Sequence, residues 1–464
     1  MAAKMHKKRK KEWSAGLLFA LFAPLCGHFH SFARGLKIVC FLLLIGAPLL
    51  ASAVDRFPRP QFESGHALPL TQTPMPRGAL WERLDVAVLA AALLLAGHLA
   101  LRARSRKGLL ALSLFSLAYF GFWRKGCVCP VGSIQNAALA AADASYAIPG
   151  VVVLFFLLPL VFALFQGRTF CAAVCPLGAA QDIVVLRPLR LPGWLAHALG
   201  TLRYVVLGLA VLTAATGAGF FICRHDPFVG FFRLSAPPSA LALGAAMLAL
   251  GVFVARPYCR FLCPYGVLLG WLSRFARRHA TITPDECIRC RLCENACPFD
   301  AIRAPSPPVS PEPVKQGVRR LAVLVPLVPA LMLAGAGLGW LAQTPLSRLH
   351  PAVQQAERVW ADERGDAATV ESRAFAAAGT PSAALYAAAE SVRRQMRYGG
   401  TLLGAFLGLC LGGKLVALSV RRTRRDYEPD RSICLSCGRC FSFCPREKLR
   451  RRPLRPDTRR TDVA

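Results

Sequence analysis

The sequence predicts an all-α membrane protein that crosses the bilayer several times. Of its 464 residues, 55% are hydrophobic and only 18% are charged, which is too apolar for a soluble enzyme of this length. The apolar residues form uninterrupted blocks rather than the periodic stripes of a soluble core. The 57 Lys and Arg against 25 Asp and Glu give a net charge of +32. Such an excess is typical of the cytoplasmic loops of multi-pass proteins.

About eight segments are long and apolar enough to cross roughly 30 Å of hydrocarbon. They lie at residues 36–54, 85–102, 108–123, 150–166, 201–222, 238–255, 319–342 and 399–420. An even number of spans puts both termini on one side of the membrane. The basic clusters at residues 7–11, 102–107 and 421–425 make that side the cytoplasm. We therefore expect a multi-pass protein of a bacterial-type inner membrane with both termini cytoplasmic.

The predicted spans divide the chain into short extramembrane segments and a transmembrane bundle. Residues 1–35 are expected to form a basic cytoplasmic N-terminus and an interfacial segment, because the apolar stretch 14–33 is interrupted by Pro24 and Gly27. The other units are the bundle at 36–255, a cytoplasmic segment at 256–318, a span at 319–342, an extracytoplasmic loop at 343–398, a span at 399–420 and a cytoplasmic tail at 421–464. No nucleic-acid-binding motif accompanies the basic charge, so the bilayer is the expected partner and nucleic acid is not.

The 18 cysteines carry the main functional signal. Two segments share the spacing Cys-x2-Cys-x2-Cys-x3-Cys-Pro, which in bacterial ferredoxins binds 4Fe-4S clusters. In such a run the fourth cysteine ligates the other cluster, so each cluster takes three cysteines from one run and one from the other. The first expected set is Cys287, Cys290, Cys293 and Cys444, and the second is Cys434, Cys437, Cys440 and Cys297.

These runs predict a small α+β ferredoxin-like module with two 4Fe-4S clusters on the cytoplasmic side, where residues 256–318 and 421–464 meet. The alternative is a pair of zinc sites, since zinc also binds thiolates. The regular spacing and the absence of paired histidines favour iron-sulfur clusters.

Two further segments share the pattern Cys-x3-Cys-Pro-x-Gly, each directly after an apolar span. They contain the pairs Cys171 and Cys175, and Cys259 and Cys263. A spacing of four predicts that both cysteines of a pair lie on one face of a helical turn. The two pairs together could supply four thiolates to a metal centre, and their repetition indicates an internal duplication. The alternative is that they are reduced cysteines that only pack at the interface.

A third group of cysteines is predicted at the opposite membrane face. Cys127, Cys129 and Cys223 could bind a metal with His225 or Asp226 as a fourth ligand. The alternative is a disulfide between Cys223 and either Cys127 or Cys129, because the outer compartment is oxidising. The remaining thiols are interpreted as ordinary packing. They are Cys26, Cys40 and Cys410.

Other cofactors lack a signature in the sequence. Intramembrane haem usually takes histidines from facing spans, and only His98 lies well inside a predicted span. No dinucleotide-binding glycine motif, Walker A motif, zinc-protease motif or nucleophile elbow is present. We expect neither flavin nor haem, although further iron-sulfur clusters at the membrane faces are an open expectation. The chain is interpreted as an electron carrier or a subunit of a membrane oxidoreductase rather than a stand-alone enzyme.

The ferredoxin runs and the Cys-x3-Cys-Pro-x-Gly repeats together resemble the membrane polyferredoxins of the NosR, NirI and NapH type. More distantly, they are similar to the copper-handling CcoG proteins. The resemblance covers roughly residues 108–300 and 430–446. It implies a protein that relays single electrons between a quinol or cytoplasmic donor and a membrane or extracytoplasmic redox partner, often in anaerobic respiration. It carries over the cysteines of the ferredoxin runs as ligands, together with those of the Cys-x3-Cys-Pro pairs.

Two features depart from this family, and other functions stay open. The loop at residues 55–84 is too short for the outer flavin domain of NosR-type proteins, and Cys127-x-Cys129 is shorter than the family's Cys-x3-Cys-Pro. A metal-centre maturation factor or a copper reductase of the CcoG type is one alternative, although six Met give little sign of a copper-binding patch. A non-redox scaffold or a redox-sensing regulator with structural clusters is the other.

Overall fold

The computed structural model describes residues 78–451 except 127–128, 235–237, 283–286, 307–312, 367, 380 and 421–423. The predicted N-terminal segment, the span at 36–54 and Cys127 lie outside the described residues. The helices before the first ferredoxin run are α1 Ala79–Gly97, α2 Arg106–Ser116, α3 Pro130–Ala142, α4 Gly150–Gln166, α5 Thr169–Ala173, α6 Pro176–Ile183, α7 Gly193–Leu199, α8 Leu202–Ala215, α9 Phe221–His225, α10 Pro227–Arg233, α11 Pro238–Phe253 and α12 Tyr265–Ser273. π-Helical turns extend α1 over His98–Arg102 and α2 over Leu117–Trp123, and a third covers Tyr258–Leu262.

The rest of the described chain forms a ferredoxin-like module and a long helical hairpin. These elements are α13 Leu292–Ala296, β1 Ile302–Arg303, α14 Val314–Leu341, α15 Gln343–Ser347, α16 Pro351–Glu363, α17 Val370–Ala377, α18 Ser382–Ser419, β2 Glu428–Pro429, α19 Arg439–Phe443 and α20 Pro445–Arg451. Helix α18 begins well before the predicted span at 399–420, so its first half belongs to the segment that the sequence predicted as an outer loop. The Ala-rich sequence explains this extension, because Ala has the highest helix propensity.

Four helical segments in the described ranges are long and apolar enough to cross a membrane. They are Ala79–Arg102, Gly193–Ala215, Val314–Leu341 and Ser382–Ser419, and they overlap the predicted spans at 85–102, 201–222, 319–342 and 399–420. A fifth is added if Pro227–Arg233 and Pro238–Phe253, which meet at an angle of 111°, form one broken span. Helix α4 is apolar but shorter, at 17 residues. The structure is therefore that of a mostly helical membrane protein.

A buried polar contact joins α1 to the π-helical extension of α2. The carboxylate of Asp85 on α1 pairs with Arg124 at 2.7 Å, and the hydroxyl of Tyr119 donates to Asp85 Oδ1 at 2.7 Å. Asp85 is fully buried. Because an ionised group in an apolar environment requires a partner, this contact fixes the register of α1 against α2.

Helices α14 and α18 pack along a stripe of glycines on α18. The stripe consists of Gly400, Gly404, Gly408 and Gly412. A Cβ atom on Gly404 would lie 1.9 Å from the carbonyl oxygen of Gly335 on α14. Small residues at such positions allow two membrane helices to approach at backbone distance. The close approach therefore requires glycine at the crossing point.

Replacing Gly404 by Val is expected to separate α14 from α18 and to destabilise the protein by at least about 2 kcal/mol, as overpacking does. Gly413→Val is the matched control, because no atom lies within 4 Å of the position of its Cβ. Thermal unfolding of both purified variants in detergent measures the difference. Equal midpoints for the two variants would contradict the close helix crossing.

The ferredoxin-like module is assembled from two segments of the chain, one that precedes α14 in sequence and one that follows α18. Strands β1 and β2 pair antiparallel, with Ile302 opposite Pro429, and the amide of Asp430 donates to the carbonyl of Ala301 at 2.7 Å. Arg104, in the turn between α1 and α2, attaches the module to the membrane helices. Its guanidinium donates to the carbonyl of Thr281 at 2.8 Å and pairs with Glu447 at 2.8 Å.

Candidate functional site

The eight cysteines of the ferredoxin runs surround two cavities in the module. The first cavity, of about 300 Å³, is lined by Cys287, Cys290, Cys293 and Cys444. The second, of about 390 Å³, is lined by Cys297, Cys434, Cys437 and Cys440. The structure thus brings together the two crossed sets that the spacing predicts. The fourth cysteine of each run lies with the other run's first three.

Both cysteine loops have the same backbone conformation around their cavities. The second and fourth residues after the first cysteine have positive φ angles: Arg289 and Arg291 in one loop, Ser436 and Gly438 in the other. These left-handed residues turn the chain around the cavity, and the amide of Ser436 donates to Cys434 Sγ at 3.4 Å. Successive amides that point into a concave turn favour an anionic group inside it. The loops therefore suit a cluster with thiolate and sulfide ligands.

Each cysteine that precedes a proline has an extended backbone. The ψ angles are 117° at Cys175, 111° at Cys263, 108° at Cys297 and 119° at Cys444. Proline excludes the α conformation from the residue before it, so a helix cannot continue through these cysteines. Helix α5 accordingly ends at Ala173, before Cys175. The π-helical turn Tyr258–Leu262 likewise ends before Cys263. The prediction that each Cys-x3-Cys pair lies on one helical turn was therefore wrong, because the second cysteine of each pair follows the turn.

The two Cys-x3-Cys-Pro pairs nevertheless come together around a third cavity of about 350 Å³. Its lining includes Cys171, Cys175, Cys259 and Cys263. Arg168 and Arg256 also line it, and they are only 5% and 1% exposed. The arrangement is nearly twofold. A Cβ on Gly178 would lie 3.0 Å from Arg256 Nη1, and one on Gly266 would lie 3.2 Å from Arg168 Nη2. The glycine of each Cys-Pro-x-Gly repeat thus makes room for the arginine of the opposite repeat.

Three sulfur atoms of this cavity accept hydrogen bonds. Gln181 Nε2 donates to Cys259 Sγ at 3.2 Å, Arg168 Nη2 to Cys171 Sγ at 3.8 Å and the amide of Gly266 to Cys263 Sγ at 3.4 Å. Such contacts set the potential of a metal-bound thiolate. The sequence reasoning missed Gln181, although the motif Cys-Pro-x-Gly-x-x-Gln contains it.

Asp182, the next residue of α6, connects the third cavity to the module. Its buried carboxylate pairs with Arg106 at 2.8 Å, Arg439 at 3.3 Å and Arg256 at 3.5 Å. Burial alone would raise the pKa of Asp182, but the charges of Arg256 and Arg106 outweigh it and hold the pKa well below its usual value. The ionised carboxylate thus joins α2, the third cavity and α19.

The thiol-lined cavities adjoin one another. Cysteines of the first two cavities share one apolar cluster, and Leu435 lines both the second and the third. Cys175 lines the third cavity and also a fourth, of about 500 Å³, that contains Cys129. Cys129 and Cys175 therefore line the same cavity. The sequence predicted instead that these two cysteines lie at opposite membrane faces. They come together because α5 and α6 are short, and Cys175, between them, faces the cavity that Cys129 lines.

The donor sets fit iron-sulfur clusters better than single ions. Four soft thiols stand around each of the first three cavities, and such ligands select zinc or iron-sulfur clusters. Within the residues that the structure describes, no group of three or more His, Cys, Asp or Glu side chains is arranged to hold a single metal ion. Four thiols around one cavity match the four cysteine ligands of a 4Fe-4S cluster.

Comparisons with known proteins indicate 4Fe-4S binding by parts of this chain. A family described as a 4Fe-4S binding domain matches residues 280–303, which contain the first ferredoxin run. A second family with the same description matches residues 148–194 and 236–283, which contain the two Cys-x3-Cys-Pro pairs. Curated relatives include the ferredoxin-type protein NapH of Escherichia coli, 27% identical over 38% of this chain and 62% of NapH. The chain resembles membrane polyferredoxins of the NosR, NirI and NapH type.

Other relatives of this polyferredoxin-like chain extend over different parts of their own lengths. The protein NirI of Paracoccus denitrificans is 29% identical over 43% of this chain and 31% of NirI. An uncharacterised protein of Methanocaldococcus jannaschii is 28% identical over 39% of this chain and 77% of that protein. The chain thus spans less than two thirds of NapH and of NirI. No solved structure matches the chain significantly.

Proposed function

We propose that this chain is a membrane-bound iron-sulfur electron-transfer protein. It relays single electrons between a quinol or cytoplasmic donor and a membrane or extracytoplasmic redox partner. The observation that carries the proposal is the row of adjoining thiol-lined cavities from the ferredoxin module into the membrane core. The similarity to NapH, which is described as a ferredoxin-type protein, supports it.

The cysteines of the first two cavities are the proposed ligands of two 4Fe-4S clusters, and those of the third cavity are proposed to hold a further cluster. When bound, such a cluster accepts and releases one electron. Burial raises the pKa of Cys434 to about 12 and that of Cys293 to about 11. Because a thiol must lose its proton to bind metal, the positive charge of iron has to offset this burial.

The protein around the third cavity supplies positive charge and excludes water. Arg168 and Arg256 lie beside its four thiols, and Arg168 Nη1 also donates to the carbonyl of Ser432 at 3.0 Å. A buried guanidinium next to a cluster favours the reduced, more negative state of that cluster. Leu435 lines both this cavity and the second one. Adjoining cavities suit electron transfer between the clusters that they are proposed to hold.

The module is proposed to lie on the cytoplasmic side, with about eight spans in total and both termini cytoplasmic. Supporting this orientation, Arg104 and Arg106 of the basic cluster at residues 102–107 both contact the module. The basic residues at 421–425 directly precede β2. Clusters of Arg and Lys next to spans favour the cytoplasm, so the module and this charge share one side.

Iron and acid-labile sulfide per chain, measured on protein purified without oxygen, test this proposal. About 8 of each are expected for the two ferredoxin-type clusters and about 12 if the third cavity is also loaded. The double variant Cys171→Ser, Cys259→Ser is expected to lose about 4 iron, whereas Cys410→Ser in α18 is expected to lose none. Iron near zero with bound zinc would contradict the proposal. Clusters that neither dithionite nor quinol reduces would favour the scaffold alternative.

A further inference from the structure

The segment that begins at Cys129 resembles in sequence the segment that begins at Cys175, which lines the third cavity. Residues 129–135 read Cys-Pro-Val-Gly-Ser-Ile-Gln, and residues 175–181 read Cys-Pro-Leu-Gly-Ala-Ala-Gln. Cys129 has an extended backbone with a ψ angle of 131° and precedes α3, as Cys175 precedes α6. The segment at 129–135 lies outside the matches to 4Fe-4S binding domains.

The two glutamines that end these segments make corresponding contacts. Gln181 Oε1 accepts the amide of Tyr258 at 3.1 Å, and its Nε2 donates to the sulfur of Cys259, the next residue. Gln135 Oε1 accepts the amide of Ile222 at 3.0 Å, and the next residue is Cys223. In both cases the glutamine accepts the amide of the residue that directly precedes a cysteine, so Cys223 corresponds to Cys259.

The buried amide nitrogen of Gln135 lacks an acceptor among the described residues, as a donor reserved for a ligand would. Gln135 is fully buried, and its Nε2 has no hydrogen-bond partner among the described residues. Leaving a buried donor without an acceptor is unfavourable, because the donor has lost its hydrogen bonds to water. At the corresponding position, Gln181 Nε2 binds a cysteine sulfur. A sulfur-containing group beside Cys223 would satisfy Gln135 in the same way.

Asp226 occupies the position that Cys263 has in the third cavity. Each residue precedes a proline and a helix, and each accepts a backbone amide. Asp226 Oδ1 accepts that of Phe228 at 2.8 Å, and Cys263 Sγ accepts that of Gly266 at 3.4 Å. Asp226 is only 6% exposed. His225, the other ligand that the sequence offered, is exposed, with Nδ1 at 2.9 Å from the carbonyl oxygen of Phe221.

The candidate groups lie close together in the fold. A Cβ on Gly132, within the repeated segment, would lie 3.1 Å from Cys223 Sγ. Cys129 is within electrostatic range of both Cys223 and Asp226. The hydroxyl of Tyr258 donates to Asp226 Oδ2 at 3.2 Å, and Tyr258 is bonded to Cys259 of the third cavity. The hydrogen bond of Tyr258 and its peptide link to Cys259 thus connect the group to the third cavity.

We propose that Cys129, Cys223 and Asp226 are ligands of a further iron-sulfur cluster, with Gln135 as the hydrogen-bond donor to its sulfur. Two thiolates favour iron-sulfur chemistry, and the carboxylate adds one oxygen ligand. This inference rests on the proposed function, because the site extends the row of redox centres beyond Cys175. A disulfide between Cys129 and Cys223 is the competing outcome of the test.

Asp226→Asn in the whole protein, purified without oxygen, is the first test. The Asn side chain can still accept the amide of Phe228 and cap α10, but it removes the anionic ligand. We expect the loss of the iron of one cluster, about 2 to 4 atoms per chain, and of one component of the Mössbauer spectrum. Tyr258→Phe is the matched control, because it removes the hydroxyl contact to Asp226 and no proposed ligand. Its iron content is expected to equal that of the unmodified protein.

A second pair of variants reports on the glutamines without changing a ligand. Gln135→Leu is expected to keep all iron and to shift one reduction potential to a more negative value, because a donor to sulfur stabilises the reduced state. Gln181→Leu is expected to shift a different potential in the same direction. Identical shifts of one centre in both variants would overturn the assignment of two separate sites.

The inference is overturned if Asp226→Asn and Cys223→Ser keep all iron and an unchanged spectrum. It is also overturned if mass spectrometry of the alkylated protein finds Cys129 and Cys223 joined by a disulfide. Cys437→Ser separates this failure from that of the proposed function. If that variant loses about 4 iron while the Asp226 and Cys223 variants lose none, only the further site is wrong. If the unmodified protein has no iron, both proposals fail.

Discussion

Cys297→Ser is expected to abolish the same cluster signal as Cys437→Ser, although the two cysteines are in different runs. Both thiols line the second cavity, so either substitution removes one of four ligands of that proposed cluster. The expected result is the loss of about 4 iron per chain and of one electron paramagnetic resonance signal. The cluster proposed for the first cavity should keep its own signal, because none of its four thiols is changed.

The matched pair for this experiment is Cys444→Ser and Cys290→Ser. Both residues line the first cavity, and both variants are expected to lose the other signal. Serine keeps the size of the side chain but binds iron less well than a thiolate, so the chain is disturbed little outside the site. If instead Cys297→Ser gave the same spectrum as Cys290→Ser, each run would hold its own cluster. The crossed arrangement would then be wrong.

Crossed ligation could be expected from sequence because it depends on local backbone geometry. Three cysteines at a spacing of three residues share one loop, and a proline after the fourth cysteine forces that residue into an extended conformation. These constraints act within about ten residues, and the left-handed residues Arg291 and Gly438 lie at the same position in both loops. The apolar spans can be predicted from sequence for a similar reason, since the length and hydropathy of a segment are local properties.

The contacts that turn separate motifs into one site are not local. Gln181 meets Tyr258 and Cys259, and Gln135 meets Ile222, across more than seventy residues of sequence. A single sequence contains no information on which distant residue a buried amide faces. The Cys-x3-Cys spacing predicted a helical turn because it matches the period of an α-helix. That prediction did not take into account that Pro176 excludes the helical conformation at Cys175. The effect of proline on the preceding residue would have corrected that prediction.

Asp182→Asn is expected to cause the largest loss of stability among single substitutions in the polar core. The buried carboxylate is the common partner of Arg106, Arg256 and Arg439. Its neutralisation leaves Arg256, which is 1% exposed, with an uncompensated charge. Removing one partner of a buried ion pair costs about 3–5 kcal/mol. The module should then detach more readily, because Arg439 on α19 loses its contact with α6.

The pH dependence of unfolding distinguishes this ionic role from a simple loss of packing. Since the folded protein holds the pKa of Asp182 below its usual value, the carboxylate stabilises the fold fully above the unfolded pKa of about 3.9. That contribution is lost as the pH falls through the folded value. The stability difference between the unmodified protein and Asp182→Asn should therefore be constant above about pH 5 and shrink below it. Asp366→Asn, at an exposed site between α16 and α17, should show no such difference. A difference for Asp182→Asn that persists unchanged into acid would show that shape, rather than the charge shared by three arginines, holds the module against the membrane helices.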